Sequence, residues 1–214
     1  MRLLVGLFVL SLYAMPGSVS AQYQVGKHYV KLPPGAQAVS GDKVEVREFF
    51  WYGCPHCYRL EPYLEAWLKN IPADVDYVRT PGVARRWLPH AQAFYTFEAL
   101  GVTEQVHKDF FDAIHKKREK LDTEESLVQF LAAYGVDASK VRNNYNSFGV
   151  RTKVENAKRL NFLYAIASVP TITVDGRYKT DVSMAGGPQQ LITLINYLVD
   201  QSRQERKRGA SGKQ

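Results

Sequence analysis

Cysteine is nearly absent from this chain: 214 residues contain only Cys54 and Cys57. Two cysteines in one CxxC leave no second pair for a structural zinc site. Histidine does not make up the shortfall, because His28, His90, His107 and His115 form no His-x3–5-His pair. Tyr58, rather than histidine, follows Cys57, which excludes covalent haem attachment. No metal and no cofactor is therefore expected; the 13 Tyr, 10 Phe and 3 Trp read as core and groove lining. Beyond the first 21 residues no apolar run approaches the roughly 20 residues that span a bilayer. The body of the chain also lacks a charge surplus. Net charge is +7, but Arg203, Arg206, Lys207, Arg208 and Lys213 face only Glu205 in the last stretch, so the basic balance belongs largely to the tail. It does not advertise a nucleic-acid surface. No internal repeat is visible.

The first 21 residues have the form of a cleaved export signal. Arg2 supplies a positive start, Leu3 to Met15 is apolar, and Val19-Ser20-Ala21 places small residues at a cleavage site after Ala21. Pro16-Gly17 interrupts the run before it reaches membrane-spanning length. The remaining chain is long enough for one core, or for a core with an inserted subdomain. Tyr23 to Leu32 reads as a short strand, and Val44 to Tyr52 as a buried central one. A helix follows from Cys54, with Leu60, Tyr63, Leu64, Trp67 and Leu68 at helical spacing. Val75 to Thr80 is a further strand, stopped by Pro81-Gly82. Helices are expected over 90–100, 104–117, from Thr123 to Tyr134, over 137–147 and over 150–167. Asp175-Gly176 between Thr171–Val174 and Tyr178–Thr180 is a hairpin signal. The last amphipathic helix reads as Gln189 to Gln201, followed by a solvated, disordered basic tail.

The two cysteines end an apolar run, Glu48-Phe-Phe-Trp-Tyr-Gly-Cys54-Pro-His-Cys57. In an exported protein a lone CxxC reads as a redox pair and not as a staple. Cys54 stands at a helix N-terminus, where unpaired N–H groups and the positive dipole end favour a thiolate. Pro55 suits the first helical position, and His56 adds a nearby imidazolium. Cys57 lies a turn deeper on the same side, as a shielded resolving thiol. Stabilising the thiolate stabilises the reduced form and makes the disulfide oxidising.

Removing a helical block over 87–148 leaves the order β-β-α-β-α-β-β-α, with CxxC opening the first long helix. That order resembles the thioredoxin fold, an α/β architecture, carrying here an inserted all-helical subdomain. The thioredoxin-like part is expected over 22–86 and 149–200. Cys-Pro-His-Cys, its aromatic lead-in and Ser168-Val169-Pro170-Thr171 before the hairpin resemble the DsbA family of exported thiol oxidases. The resemblance implies that Val169-Pro170 is a cis-proline loop against the disulfide, where Val169 pairs with a bound peptide. It implies that Glu48 is a buried proton-shuttling acid. The family often pairs that acid with a lysine, and Arg79 stands at the plausible position here. It further implies a monomer in the periplasm. Its substrates would be unfolded, cysteine-bearing exported proteins, and a DsbB-like, quinone-linked membrane protein would reoxidise it. An exported reductase or isomerase on the same fold competes with this reading. So does a peptide-binding chaperone whose cysteines are incidental.

Overall fold

The run from Val44 that alternates and then turns wholly apolar becomes the middle of a sheet. The computed structural model describes residues 23–34 and 41–211, so the export signal lies outside the described residues. The strands are β1 (Val30–Lys31), β2 (Val44–Phe50), β3 (Val75–Pro81), β4 (Thr171–Val174) and β5 (Tyr178–Thr180). They form one sheet in the order β1-β5-β4-β2-β3. β2 is parallel to β3 and antiparallel to β4, which places Glu48 opposite Arg79 on one side and Ile172 on the other. Both faces of β2 are covered, as a continuous apolar run requires; Val46, Phe49 and Phe50 are all buried.

The helices are α1 (Pro55–Leu68), α2 (Leu88–Leu100), α3 (Thr103–His115), α4 (Glu124–Ala132), α5 (Ala138–Tyr145), α6 (Phe148–Leu163), α7 (Val182–Ala185) and α8 (Pro188–Ser211). α1 and α8 pack Leu60, Leu64, Leu191, Ile195 and Leu198 into one core with β2 and β4. The inserted helices build a second, aromatic core from Phe94, Phe97, Phe110 and Phe111, and that core takes in Tyr52, Cys54 and Cys57. The redox pair thus belongs to the seam between the helical region and the sheet. No described helix is long and apolar enough to cross a membrane.

Several ends differ from expectation. The first strand shrinks to Val30–Lys31, because the chain turns at Gly26 (φ 82) and Val25 only bridges Tyr29. α6 stops at Leu163, not residue 167. Ala165 adopts φ 47, and the Lys179 ammonium takes the carbonyls of Tyr164 and Ala165 at 3.0 and 2.9 Å. α7 was not expected; the Asp181 side chain caps it through Met184 N–H at 2.8 Å.

The basic tail is not disordered through Ser211: α8 runs to that residue. Two of its cations, Arg203 and Arg206, are engaged by the body of the protein. Arg203 donates to both Asp74 oxygens at 2.7 and 2.6 Å. Arg206 donates to the Gly41 and Lys43 carbonyls at 2.9 and 2.8 Å and pairs with buried Asp175 in the hairpin turn.

Candidate active site

After β2 the chain turns through Trp51, Tyr52 and Gly53 into α1. Cys54 is the N-cap residue, extended at φ −89 and ψ 116, and its N–H donates to the Trp51 carbonyl at 2.9 Å. Gly53 permits this turn to close on the Trp51 indole, since a Cβ at 53 would lie 2.3 Å from the ring. Pro55 begins the helix, and both Pro55 and His56 are exposed. His115 holds the turn from the helical side, its Nε2 2.7 Å from the Tyr52 carbonyl and its ring stacked on Tyr58 at 4.7 Å.

Both cysteines are free thiols, so this is the dithiol form. Cys54 is 7 % exposed and Cys57 is 0 % exposed. The Cys57 thiol hydrogen-bonds to the Cys54 sulfur, and backbone N–H groups of Cys57 and His56 add to it. Against the opposing cost of burial, these contacts and the His56 charge bring the Cys54 pKa down to about 6. Burial pushes Cys57 the other way, well above an ordinary thiol, and its contact with Cys54 adds to that. One sulfur is a stabilised thiolate just short of full burial; the other is a fully shielded thiol behind it.

The cis-proline loop approaches the first cysteine. The Val169–Pro170 bond is cis, and Cys54 Sγ lies 3.4 Å from the Val169 carbonyl oxygen. Glu48 is fully buried, with Tyr77 O–H donating to its Oε2 at 2.6 Å. Burial, reinforced by the neighbouring Glu61 carboxylate, raises its pKa, while Arg79 and Tyr77 act against the rise. The expected pairing with Arg79 is only partial: Arg79 Nε is 3.8 Å from Glu48, whereas its NH2 is 2.7 Å from Glu61.

Glu61 was not singled out in the sequence, although the signal was there. It sits on the α1 face that buries Cys57, Leu60, Leu64 and Trp67, and a carboxylate at an apolar position calls for a partner. Burial opposes its ionisation, but His107 and Arg79 outweigh that and hold its pKa low. His107 lies across α3 with Nε2 3.2 Å from Glu61 and Nδ1 2.7 Å from the Tyr52 hydroxyl. Burial lowers the His107 pKa, though Glu61 works against this. Two surface residues were missed as well. Arg59 donates to His56 Nδ1 at 2.9 Å, placing a permanent cation by the helix N-terminus. Trp87 stacks on Trp51 at 5.2 Å and 18°, and bare Gly82 is needed beneath it.

The DSBA-like thioredoxin domain family matches residues 81–199. The thiol:disulfide interchange protein DsbA of Pseudomonas aeruginosa is 42 % identical over 199 residues, covering 92 % of this chain and 94 % of that protein. The Azotobacter vinelandii protein of the same name is 42 % identical over 184 residues, 86 % of each chain. The crystal structure of Pseudomonas aeruginosa DsbA superposes with a TM-score of 0.83 at 42 % identity, covering 88 % of this chain and 98 % of that one. With Cys54 and Cys57 as its CxxC cysteines, the chain belongs to the DsbA family of thiol:disulfide interchange proteins, a thioredoxin sheet with an inserted helical region.

Proposed function

We propose that the protein is a dithiol oxidase of exported proteins, working in the periplasm after cleavage behind Ala21. The observation that carries this is the asymmetry of the two sulfurs: hydrogen-bond donors converge on Cys54 while Cys57 is sealed from solvent. In the oxidised protein a substrate thiolate attacks Cys54 Sγ, and the Cys54–Cys57 bond breaks with its electron pair leaving on Cys57, which takes up a proton. A second substrate thiolate then attacks the substrate sulfur of the mixed disulfide and displaces the Cys54 thiolate. The substrate loses two electrons and two protons to gain a disulfide, and the protein becomes the dithiol. A low-pKa leaving thiol favours that second step. A DsbB-like, quinone-linked membrane protein takes the two electrons and restores the disulfide.

Pro55 and His56 tune the thiolate from the helix start, and Glu48 accepts and returns the proton of Cys57. The backbone of Val169, before cis-Pro170, pairs with the substrate chain beside Cys54. The test is the reduction potential of the pair in glutathione buffers, followed by Trp51 fluorescence. A value well above the about −270 mV of thioredoxin is expected. A value at or below it would move the assignment to an exported reductase. The Cys57→Ser variant should also accumulate mixed disulfides with exported proteins, and the Cys54→Ser variant should not.

A further inference from the structure

α6 buries Val150, Val154 and Ala157, so helical periodicity assigns its opposite face to polar residues. Instead both ends of the exposed face carry phenylalanine: Phe148 is 77 % exposed and Phe162 is 89 % exposed. At 3.6 residues per turn, Phe148, Arg151, Glu155, Arg159 and Phe162 share one sector of the helix. Leu88, at the start of α2, is 40 % exposed and borders the same face. Between the two helices runs an open groove of about 670 Å³, lined by Leu88, Phe148, Arg151, Glu155 and Arg159 among others.

The charges of this face are unbalanced. Arg151 donates to the Asn146 carbonyl, and Arg159 donates to Asn156 Oδ1 at 3.3 Å. Among the described residues neither is ion-paired, whereas Glu155 already contacts Lys158 at 3.7 Å. Exposed Arg85 and Arg86 add two more cations on the approach to Trp87.

The face also leads to the reactive sulfur. At the far end of α6, Asn161 donates to the Pro81 carbonyl and accepts from Val83 N–H, both at 3.2 Å. Between these two residues lies Gly82, which packs against Trp87 and Val169. The Val169 carbonyl in turn lies 3.4 Å from Cys54 Sγ. Asn161, next to Phe162 in the chain, thus braces the segment that walls the redox site.

We infer that the α2–α6 face is a docking strip for the segment of an unfolded substrate that flanks its reacting cysteine. Apolar side chains of the segment lie on Leu88, Phe148 and Phe162, and its carboxylates meet Arg151 and Arg159. α6 is roughly 24 Å long, room for about seven residues of extended chain. The strip favours substrates with apolar and acidic residues beside the cysteine, and its concavity suits a chain better than a flat bilayer. The inference rests on the oxidase reading given above.

The test uses the oxidised mature protein and stopped-flow Trp51 fluorescence with three reduced peptides. One is a short cysteine peptide; the second extends it by eight residues mixing Leu and Glu; the third replaces each Glu by Lys. Expected for the wild type is faster reaction with the Leu/Glu peptide than with the Lys peptide, by about tenfold at low salt and less at high salt. Arg151→Glu with Arg159→Glu should abolish that preference, and Phe148→Ser with Phe162→Ser should remove the advantage of both long peptides. Neither double variant should change the short-peptide rate or the reduction potential, which also shows that each is folded. Equal peptide preferences in wild type and variants would overturn the strip. So would variants that alter only self-association or binding to anionic vesicles. Failure of the wild type to oxidise even the short peptide would instead sink the oxidase reading.

Discussion

At the scale of single residues, the chemistry rests on the split between two thiols three positions apart. Cys54 has a pKa depressed to about 6, so the reduced protein carries a thiolate at neutral pH. A depressed acid stabilises the folded dithiol above its unfolded pKa, and that contribution is lost as pH falls through 6. The proton count follows. Below pH 6 reduction takes up two protons per two electrons, and the potential should fall by about 59 mV per pH unit. Above it only Cys57 is protonated, and the slope should halve to about 30 mV. A potential–pH series locates the break; an unbroken steep slope to pH 8 would mean that Cys54 is an ordinary thiol. The positions of the cysteines, Pro55, His56 and the cis-proline loop were legible because each is set locally or stands in a recognisable motif. Glu61, His107 and Trp87 were not, since each acquires meaning only from partners 18 to 55 positions away.

Among the elements, those with locally dictated ends were read correctly and those ended by tertiary contacts were not. The β4–β5 hairpin follows from Asp175-Gly176, both of which take positive φ, 55 and 59. α4 begins where Thr123 and Ser126 cap each other. α8 was read ten residues short, because its charged end resembles a frayed terminus until its partners are known. Asp175 is 4 % exposed and held by both Arg177 and Arg206. Arg206→Ala leaves it one partner and releases two backbone carbonyls. The expected cost is roughly 1–3 kcal/mol, read as a lower urea midpoint with unchanged slope. Truncation after Gln201 should cost at least as much. Wild-type stability in either variant would return the tail to the status of a loose end.

For the molecule as a whole, the buried cluster of Glu61, Arg79 and His107 ties α1, β3 and α3 together. Removing one member strands a buried charge. Glu61→Leu leaves Arg79, among the described residues, a single carboxylate at 3.8 Å, Glu48, beside the Tyr77 ring, and should cost roughly 3 kcal/mol. Because the aromatic core also runs through the cysteine turn, the helical region and the sheet should melt as one unit. Coincident urea transitions by far-UV circular dichroism and tryptophan fluorescence would show this, and two separated transitions would show independent parts. The grip of Arg206 on Gly41 and Lys43 carries a consequence for how each copy is born. Residues made long after it brace the start of the strand that carries the cysteine turn. At about 5–20 residues per second, the ribosome finishes α8 roughly 10–30 s after releasing Cys57. Through that interval the strand leading into the cysteine turn lacks this brace, so the housing of the two thiols can be completed only after nearly all of α8 has been made.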